Sequence, residues 1–425
     1  MGDVLKTTLE NGLTVLLKDV HTAPVASFWI WYRVGSGREH LGITGISHWV
    51  EHMLFKGTPR WPKGAADKAI SREGGKRNGA TWYDFTTYYA TLPARRIELQ
   101  LEIEADRMTG ALFQEQEVEA ERSVIVSERQ GAENSPMFLL SEEVMGAAFR
   151  VHPYGHQTLG HLCDLLGMTR DTLYDYYRTY YVPNNAVAVA VGDFQPAQML
   201  NLIQEYFEAI PPGDDREPHH PEEPPQRGER RVTLEDEGST AYFALAFHIP
   251  PATAPDFYAL VVLDSVLAGA SGMSILGEGG TNKSSRLYRA LVDTELATQV
   301  SGSLIPTVDP FVYTITATVR AGHTPSEVEE RLWAELERAT SEPITQEELA
   351  KSIKQAKAQF AYSSESVTGQ AFWLGWSEIF ADYTWFERYL DRLAQVTPDD
   401  VQRVAQQCLR RTNSTVGWYV PTRDA

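Results

Sequence analysis

The chain has 425 residues, of which 43% are hydrophobic and 22% are charged. This length predicts two or three domains and excludes a small fold held by disulfides, and the composition excludes a disordered or fibrous protein. The formal net charge of −19 disfavours nucleic acid and anionic membrane surfaces as partners, because the protein and their phosphate groups repel each other.

The N-terminal region and the two cysteines indicate the cellular compartment of the protein. Residues 1–16 are typical of two strands joined at Asn11 and Gly12, and not of a targeting segment. The longest run of small apolar residues, 186–191, is far shorter than the ~20 residues of a membrane-spanning helix. The two cysteines, Cys163 and Cys408, are too few for a disulfide framework and suit a reducing compartment. We therefore expect a cytoplasmic protein without a membrane partner.

A proline-rich segment divides the chain into halves. Residues 211–225 contain six prolines, a composition that forms neither a helix nor an interior strand. We therefore predict a first domain of residues 1–212, a linker of residues 213–229 and a second domain of residues 230–425.

Both halves contain strands rich in Val, Ile and aromatic residues, together with paired helices whose apolar residues have helical spacing. This pattern predicts an α+β fold with two domains of like topology, each a mainly antiparallel sheet packed with helices. In chain order, the predicted strands are residues 13–17, 26–34, 86–92, 186–191, 231–234, 242–248 and 312–319, and the predicted helices are residues 97–108, 115–128, 256–267, 325–340, 346–365 and 398–409.

One segment carries a metal-binding pattern. His48 and His52 are four residues apart, so on a helix both imidazoles project from one face and can bind the same ion. Glu51 lies beside them and completes an H-x-x-E-H motif, in which the carboxylate is placed to take a proton from the attacking water during amide hydrolysis. The motif can also arise by chance, and a catalytic zinc site needs a third protein ligand.

Glu121 and Glu128 are candidates for that third ligand. Their spacing of seven residues is two helical turns, which places both on one face of a helix. A solvated charged face explains the spacing equally well. The residues alone therefore leave the third ligand open.

The segment 44–58, with the sequence TGISHWVEHMLFKGT, resembles the signature of the inverzincin metallopeptidases of the pitrilysin and insulinase type, in particular their mitochondrial processing peptidase-like branch. The resemblance covers essentially the whole chain, because weaker similarities follow in the family's order. They lie at residues 74–81, 121–128, 181–193 and 284–288.

The resemblance implies a zinc endopeptidase that cleaves short or unfolded peptides in a closed chamber. It implies that His48, His52 and Glu128 hold one Zn²⁺ per chain, that Glu51 is the general base and that Glu121 supports the site. It also implies that a substrate peptide adds as an extra strand to an edge strand, whereas the residues alone favour an ordinary glycine-bearing hairpin. That strand comprises Lys76, Arg77, Asn78, Gly79, Ala80 and Thr81.

The chain departs from the family pattern at one point. Active members use an Arg, and a Tyr seven residues later, from the second domain to hold the substrate carbonyl. In the register of residues 285–288, Leu291 and Thr298 stand at these positions. We therefore expect a partner, a similar subunit that supplies the Arg and Tyr.

Two alternatives stay open. The first is a homodimer, in which Arg286, Tyr288 or Arg289 takes the role of the missing pair. The second is a different class of function, a non-catalytic core or assembly subunit that retains the peptidase fold.

Overall fold

The computed structural model of the protein describes residues 3–214, 221–270 and 283–422, so part of the predicted linker, residues 215–220, lies outside the described residues. The chain divides into two compact units, each built from three segments. The first unit comprises Met1–Gly131, His156–His220 and Ser364–Glu387, and the second comprises Ala132–Gly155, Pro221–Ser363 and Arg388–Ala425.

The first unit contains a six-stranded sheet with the order β1-β2-β6-β3-β5-β4. All neighbouring strands are antiparallel except β2 and β6, which are parallel. The central strands β3 and β6 are almost completely buried because, apart from Ser27 and Gly192, they consist of Val, Ile, Ala and aromatic residues. The strands are β1 (Leu5–Thr8), β2 (Thr14–Asp19), β3 (Val25–Tyr32), β4 (Lys76–Thr81), β5 (Thr86–Pro93) and β6 (Ala186–Gly192).

Eight helices accompany this sheet within the described part of the first unit. They are α1 (Ile46–Met53), α2 (Ala65–Arg72), α3 (Glu98–Gly110), α4 (Glu115–Glu133), α6 (Leu162–Gly167), α7 (Arg170–Tyr180), α8 (Pro196–Phe207) and α12 (Val367–Phe380).

The second unit contains a five-stranded sheet with the order β7-β11-β8-β10-β9, in which only β7 and β11 are parallel. The strands are β7 (Arg230–Glu237), β8 (Tyr242–Ile249), β9 (Ala297–Ser303), β10 (Phe311–Val319) and β11 (Ser414–Thr422). The helices are α5 (Pro136–Ala148), α9 (Phe257–Leu267), α10 (Pro325–Ser341), α11 (Gln346–Ser363), α13 (Thr384–Ala394), which begins in the first unit, and α14 (Pro398–Cys408).

The two sheets share one strand pattern. The order β2-β6-β3-β5-β4 in the first unit corresponds to β7-β11-β8-β10-β9 in the second, and in each the parallel pair lies at the same end. The predicted α+β class with two domains of like topology and mainly antiparallel sheets is therefore confirmed.

The compact units differ from contiguous halves because each receives a helix from the other half of the chain. Helix α12 packs on β3 and β6, where the Phe372 ring lies 5.9 Å from Trp29 and 5.6 Å from Trp31. Helix α5 packs on β11 and β8, against Gly417 of β11. The predicted ranges 1–212 and 230–425 follow the chain order and miss this exchange, because an apolar helix face does not specify which sheet it covers.

The hydropathy of the described helices bears on the membrane. Within the described ranges, no helix combines the length and the apolarity that crossing a bilayer requires.

Candidate metal centre

Helix α1 presents the two histidines of the motif. Its apolar residues, including Ile46, Trp49 and Met53, are buried, which fixes the rotation of the helix about its axis. Gly45 starts the helix in a left-handed conformation with φ of 88° and has no side chain to cap it. The buried carboxylate of Glu39 takes that role, since it accepts hydrogen bonds from the backbone N–H groups of Gly45 at 2.7 Å and Ser47 at 2.9 Å.

Helix α4 supplies the facing carboxylates and is held by Arg122. The Arg122 guanidinium lies 4.8 Å from the Trp49 ring of α1 and donates hydrogen bonds to the carbonyl oxygens of Leu165 and Met168 at 2.6 and 2.9 Å. These contacts fix α4 against α1. They therefore fix the positions from which Glu121 and Glu128 reach the histidines.

Three side chains converge between these helices. The Nε2 atoms of His48 and His52 lie 3.8 and 3.7 Å from Oε2 of Glu128. These distances are too long for hydrogen bonds but close to the ~3.3 Å that separates ligand atoms in a tetrahedral site with zinc bonds of ~2.0–2.1 Å. All three ligand atoms lie within 4.8 Å of one another, and no other such trio occurs among the described residues. The residues therefore fit a zinc ion.

Glu121 lies beside this trio and takes a different role from Glu128. Its Oε1 is 2.8 Å from Nδ1 of His52, and its Oε2 forms an ion pair with Lys56. A carboxylate at Nδ1 favours the tautomer with the proton on that nitrogen, which leaves the lone pair of Nε2 free for a metal. Although burial raises it, the hydrogen bonds from His52 and Lys56 hold the pKa of Glu121 below its ordinary value.

The two imidazoles differ in their electrostatic environment. Burial, and secondly the neighbouring His52, lower the pKa of His48 to about 3, so this ring is neutral at neutral pH. Burial also lowers the pKa of His52, but the Glu121 hydrogen bond and the nearby carboxylates outweigh it and raise that pKa overall. A neutral ring binds a metal without first losing a proton, which suits His48 to this role.

Glu51 points to the strand next to α1. Its Oε2 accepts a hydrogen bond from the Thr81 hydroxyl at 2.9 Å, and its Oε1 lies near Gly79, where an added Cβ would approach to 3.0 Å. Burial raises the pKa of Glu51, against the Thr81 hydrogen bond, which lowers it. A buried carboxyl with a raised pKa is suited to accept a proton near neutral pH.

Comparison with known proteins identifies the family. The family model described as insulinase (peptidase family M16) matches residues 14–161, and the one described as peptidase M16 inactive domain matches residues 167–356. The chain belongs to peptidase family M16. This M16 chain thus matches the family over both halves.

Similar proteins agree with this assignment. Zinc protease PqqE of Helicobacter pylori is 29% identical over 426 residues, which is 97% of this chain and 92% of that protein. A probable mitochondrial-processing peptidase subunit beta of Arabidopsis thaliana is 29% identical over 296 residues, which is 69% of this chain and 55% of that protein. The crystal structure of a protease from Helicobacter pylori superposes on this chain with a TM-score of 0.93 at 28% identity. The superposition covers 99% of this chain and 100% of that chain.

The predicted substrate-binding segment of this M16 chain is strand β4. It lies at one edge of the first sheet and pairs with β5, so the predicted edge position is found. Gly79 and Thr81 face Glu51, and the Arg77 guanidinium lies 5.0 Å from the Phe55 ring, just beyond α1. Strand β4 therefore lies beside the candidate base. Lys76, Asn78 and Ala80 alternate with these three residues along the strand.

The second unit contains the positions at which this chain departs from the family pattern. Leu291 is fully buried in a π-helical turn, and Thr298 is exposed on β9. Arg286, an alternative donor, makes two hydrogen bonds of 2.8 Å to the carboxylate of Glu348. Tyr288 is half-buried and Arg289 is exposed. The structure therefore engages Arg286 in an internal ion pair.

Lys56 and Glu39 are the residues of the centre that sequence reasoning missed. Lys56 follows His52 by four residues, so the spacing of His48 and His52 extends to it and was a usable signal. Glu39 gave no such signal, because it lies in a loop six residues before the helix start that it caps.

Proposed function

We propose that this M16 chain is a zinc-dependent endopeptidase that holds one Zn²⁺ through His48, His52 and Glu128. The observation that carries the proposal is the convergence of two Nε2 atoms and one carboxylate oxygen within 4.8 Å. The names of similar proteins, such as zinc protease PqqE, support zinc as the metal. When bound, Zn²⁺ polarises a carbonyl group and lowers the pKa of a bound water molecule to ~7.

Glu51 is the general base in this proposal. It adjoins His52 in the chain, its carboxylate is held by Thr81, and it is largely shielded from solvent. It takes the proton of the attacking water and returns it to the departing amine. Glu121 does not touch the substrate and acts by orienting His52.

The substrate is a peptide or an unfolded segment in extended conformation. Strand β4 supports this class, because an edge strand offers main-chain hydrogen bonds that any sequence can use. A peptide added to β4 passes the side of the strand that carries Gly79 and Thr81, next to Glu51.

A similar subunit that supplies an Arg and a Tyr completes the active enzyme, and the two chains enclose the substrate in a chamber in the cytoplasm. Support comes from Leu291, whose side chain has no hydrogen-bond donor and is buried where the family resemblance expects the Arg. Losing one such donor costs ~10²–10³ in rate in other hydrolases. One of the donors that a homodimer would use, Arg286, is bound to Glu348, and this favours a heterodimer.

The second candidate function is a non-catalytic assembly subunit. Leu291 favours it, as does the match of residues 167–356 to a model described as inactive domain. The metal-binding trio favours the peptidase, because an assembly subunit gains nothing from a buried carboxylate beside three metal ligands.

The experiment that tests the proposed function is Glu51→Gln in the zinc-loaded enzyme, assayed with its partner. We expect one zinc per chain as in the wild type and a fall in peptide hydrolysis of ~10²–10⁴-fold, the usual contribution of general acid–base catalysis. Glu115→Gln, an exposed carboxylate at the start of α4, is the control and should change neither property. A substantially active Glu51→Gln enzyme contradicts the assignment of the base, and a wild-type chain that takes up no zinc favours the assembly subunit.

A further inference from the structure

Lys56 continues the row of side chains that α1 presents to α4. His48, His52 and Lys56 succeed one another at four-residue intervals, and the turn after α1 winds on more tightly, since the N–H of Lys56 donates to the carbonyl of Met53, three residues earlier, at 2.9 Å. On the facing helix, Glu128 lies opposite the two imidazoles and Glu121 lies opposite His52 and Lys56. The ion pair between Lys56 and Glu121 therefore lies one helical turn beyond the proposed metal ligands of α1.

The carboxylate of Glu121 is held at both oxygens. Oε1 accepts from Nδ1 of His52 at 2.8 Å, and Oε2 pairs with the ammonium of Lys56. The Glu121 side chain is only 6% exposed and that of Lys56 18%, so solvent screens the pair little. Because the two contacts use different oxygens, the cation fixes the rotation of the carboxylate that His52 meets.

The held carboxylate fixes the orientation of the His52 ring. With Oε2 held by Lys56, Oε1 accepts the Nδ1 proton and Nε2 is directed to Oε2 of Glu128 at 3.7 Å. Without the cation, the buried carboxylate can turn about its side-chain bonds toward another donor, and the ring loses its fixed tautomer and angle.

We propose that Lys56 is a positioning residue for the metal ligand His52, acting through Glu121. The proposal rests on the proposed zinc site and adds an element to it: a cation, two contacts away from the ligand His52, on which the presentation of that ligand depends.

The test is the zinc affinity of the full chain, measured by competition with a chromophoric chelator and needing no peptidase activity. Removing a group that orients a metal ligand typically weakens metal affinity 10–100-fold, so we expect Lys56→Met to weaken zinc binding ~10-fold or more. Lys56→Arg keeps a cation at Oε2 and should recover most of the affinity. The Co²⁺-loaded Lys56→Met chain should show a changed visible absorption spectrum, which reports ligand geometry directly.

Lys63→Met is the matched control. Lys63 pairs with Glu117 at 2.6 Å, so this variant also removes a lysine from an ion pair with α4, one turn before Glu121. That pair is more exposed, at 57% for Lys63 and 27% for Glu117, and does not touch a ligand. We expect wild-type zinc affinity for Lys63→Met.

A double-mutant cycle shows whether Lys56 acts through Glu121. In a Glu121→Gln background, Lys56→Met should cause no further loss of zinc affinity, because the carboxylate that the lysine orients is gone. If Lys56→Met is poorly folded by circular dichroism, Lys56→Gln replaces it with the same expectation.

Two results would overturn the proposal. One is a Lys56→Met chain that binds zinc as tightly as Lys63→Met, and the other is an equal loss with and without Glu121. These results differ from the one expected if the proposed zinc site is wrong, because in that case the wild-type chain itself binds no zinc.

Discussion

The role of each residue in the metal centre follows from the atom that it meets. Glu121 and Glu128 share one face of α4, so their spacing could not show which of them is the third metal ligand. In three dimensions Glu128 Oε2 meets two Nε2 atoms, whereas Glu121 meets Nδ1 of His52 and the ammonium of Lys56. The difference is set by the packing of α4 against α1, to which the contact of Arg122 with Trp49 contributes and which no local pattern encodes.

The buried neutral His48 should make the metal-free chain sensitive to acid. In the unfolded chain His48 takes up a proton below its ordinary pKa of about 6.5, whereas in the folded chain burial lowers that pKa to about 3. Between these values the unfolded state binds the extra proton, so the free energy of unfolding falls as pH decreases, by up to ~1.4 kcal/mol per pH unit.

The measurement compares urea unfolding of the zinc-free wild type and His48→Gln between pH 7.5 and 5. We expect the free energy of unfolding of the wild type to exceed that of the variant by less and less as the pH falls below ~6.5. The exposed His40→Gln is the control and should follow the wild type. A difference in free energy of unfolding between the wild type and His48→Gln that stays constant over this range contradicts a buried, neutral His48.

At the scale of elements, the exchange of helices between the halves depends on close approach at a glycine. A Cβ at Gly375 of α12 would overlap Nε1 of Trp31 on β3, and Trp31 is fully buried and cannot move away. In the second unit, a Cβ at Gly417 of β11 would overlap Val144 of α5. Both helices therefore lie closer to their sheets than any side chain at these positions allows.

Gly375→Ala should lower the melting temperature of the protein. Overpacking of a tight core costs ~1–3 kcal/mol, which exceeds the ~0.5–1 kcal/mol that replacing a helical Gly by Ala gains. Gly131→Ala is the matched control, since Gly131 also lies in a helix, α4, but a Cβ there meets nothing within 4 Å. The control should keep or raise the melting temperature, and a Gly375→Ala protein that melts like it would refute the close contact between α12 and β3.

Sequence patterns predict most of the strands, but they miss seven of the fourteen helices of the described residues: α2, α5, α6, α7, α8, α12 and α13. Strand β3, with its run of Ile and aromatic residues from Phe28 to Tyr32, stands out from the sequence. Strand β11 does not, since Gly417, Pro421 and its Ser and Thr residues weaken the strand pattern, yet it lies between β7 and β8. Its glycine is there for the packing of α5, a requirement that comes from residues far away in the chain.

At the scale of the whole molecule, two units of like topology differ in chemistry. In the first, the helix that follows β3 is α1 with its two histidines. In the second, the helix that follows β8 is α9, which is buried and apolar apart from Asp264 and Ser265. Among the described residues, the first unit carries the metal-binding trio, and one zinc per chain stays a prediction.

The proposed partner predicts a difference between the isolated chain and the complex. At full zinc occupancy, the purified chain alone should hydrolyse a fluorogenic peptide at least ~10²-fold more slowly than the complex with a similar subunit that carries the Arg and Tyr, because it lacks donors for the oxyanion. The sample is a complex isolated from the native host, with the chain alone as comparison. Turnover by the isolated chain as fast as by the complex would contradict the need for a different partner.

The binding of one zinc ion by His48, His52 and Glu128 is tested most directly by crystallography at the zinc absorption edge. We expect a single anomalous peak in crystals grown with zinc, at ~2.0–2.2 Å from Nε2 of both histidines and from a carboxylate oxygen of Glu128. Crystals that show these three side chains well ordered, with Glu128 turned away from the imidazoles and no peak between them, would contradict it.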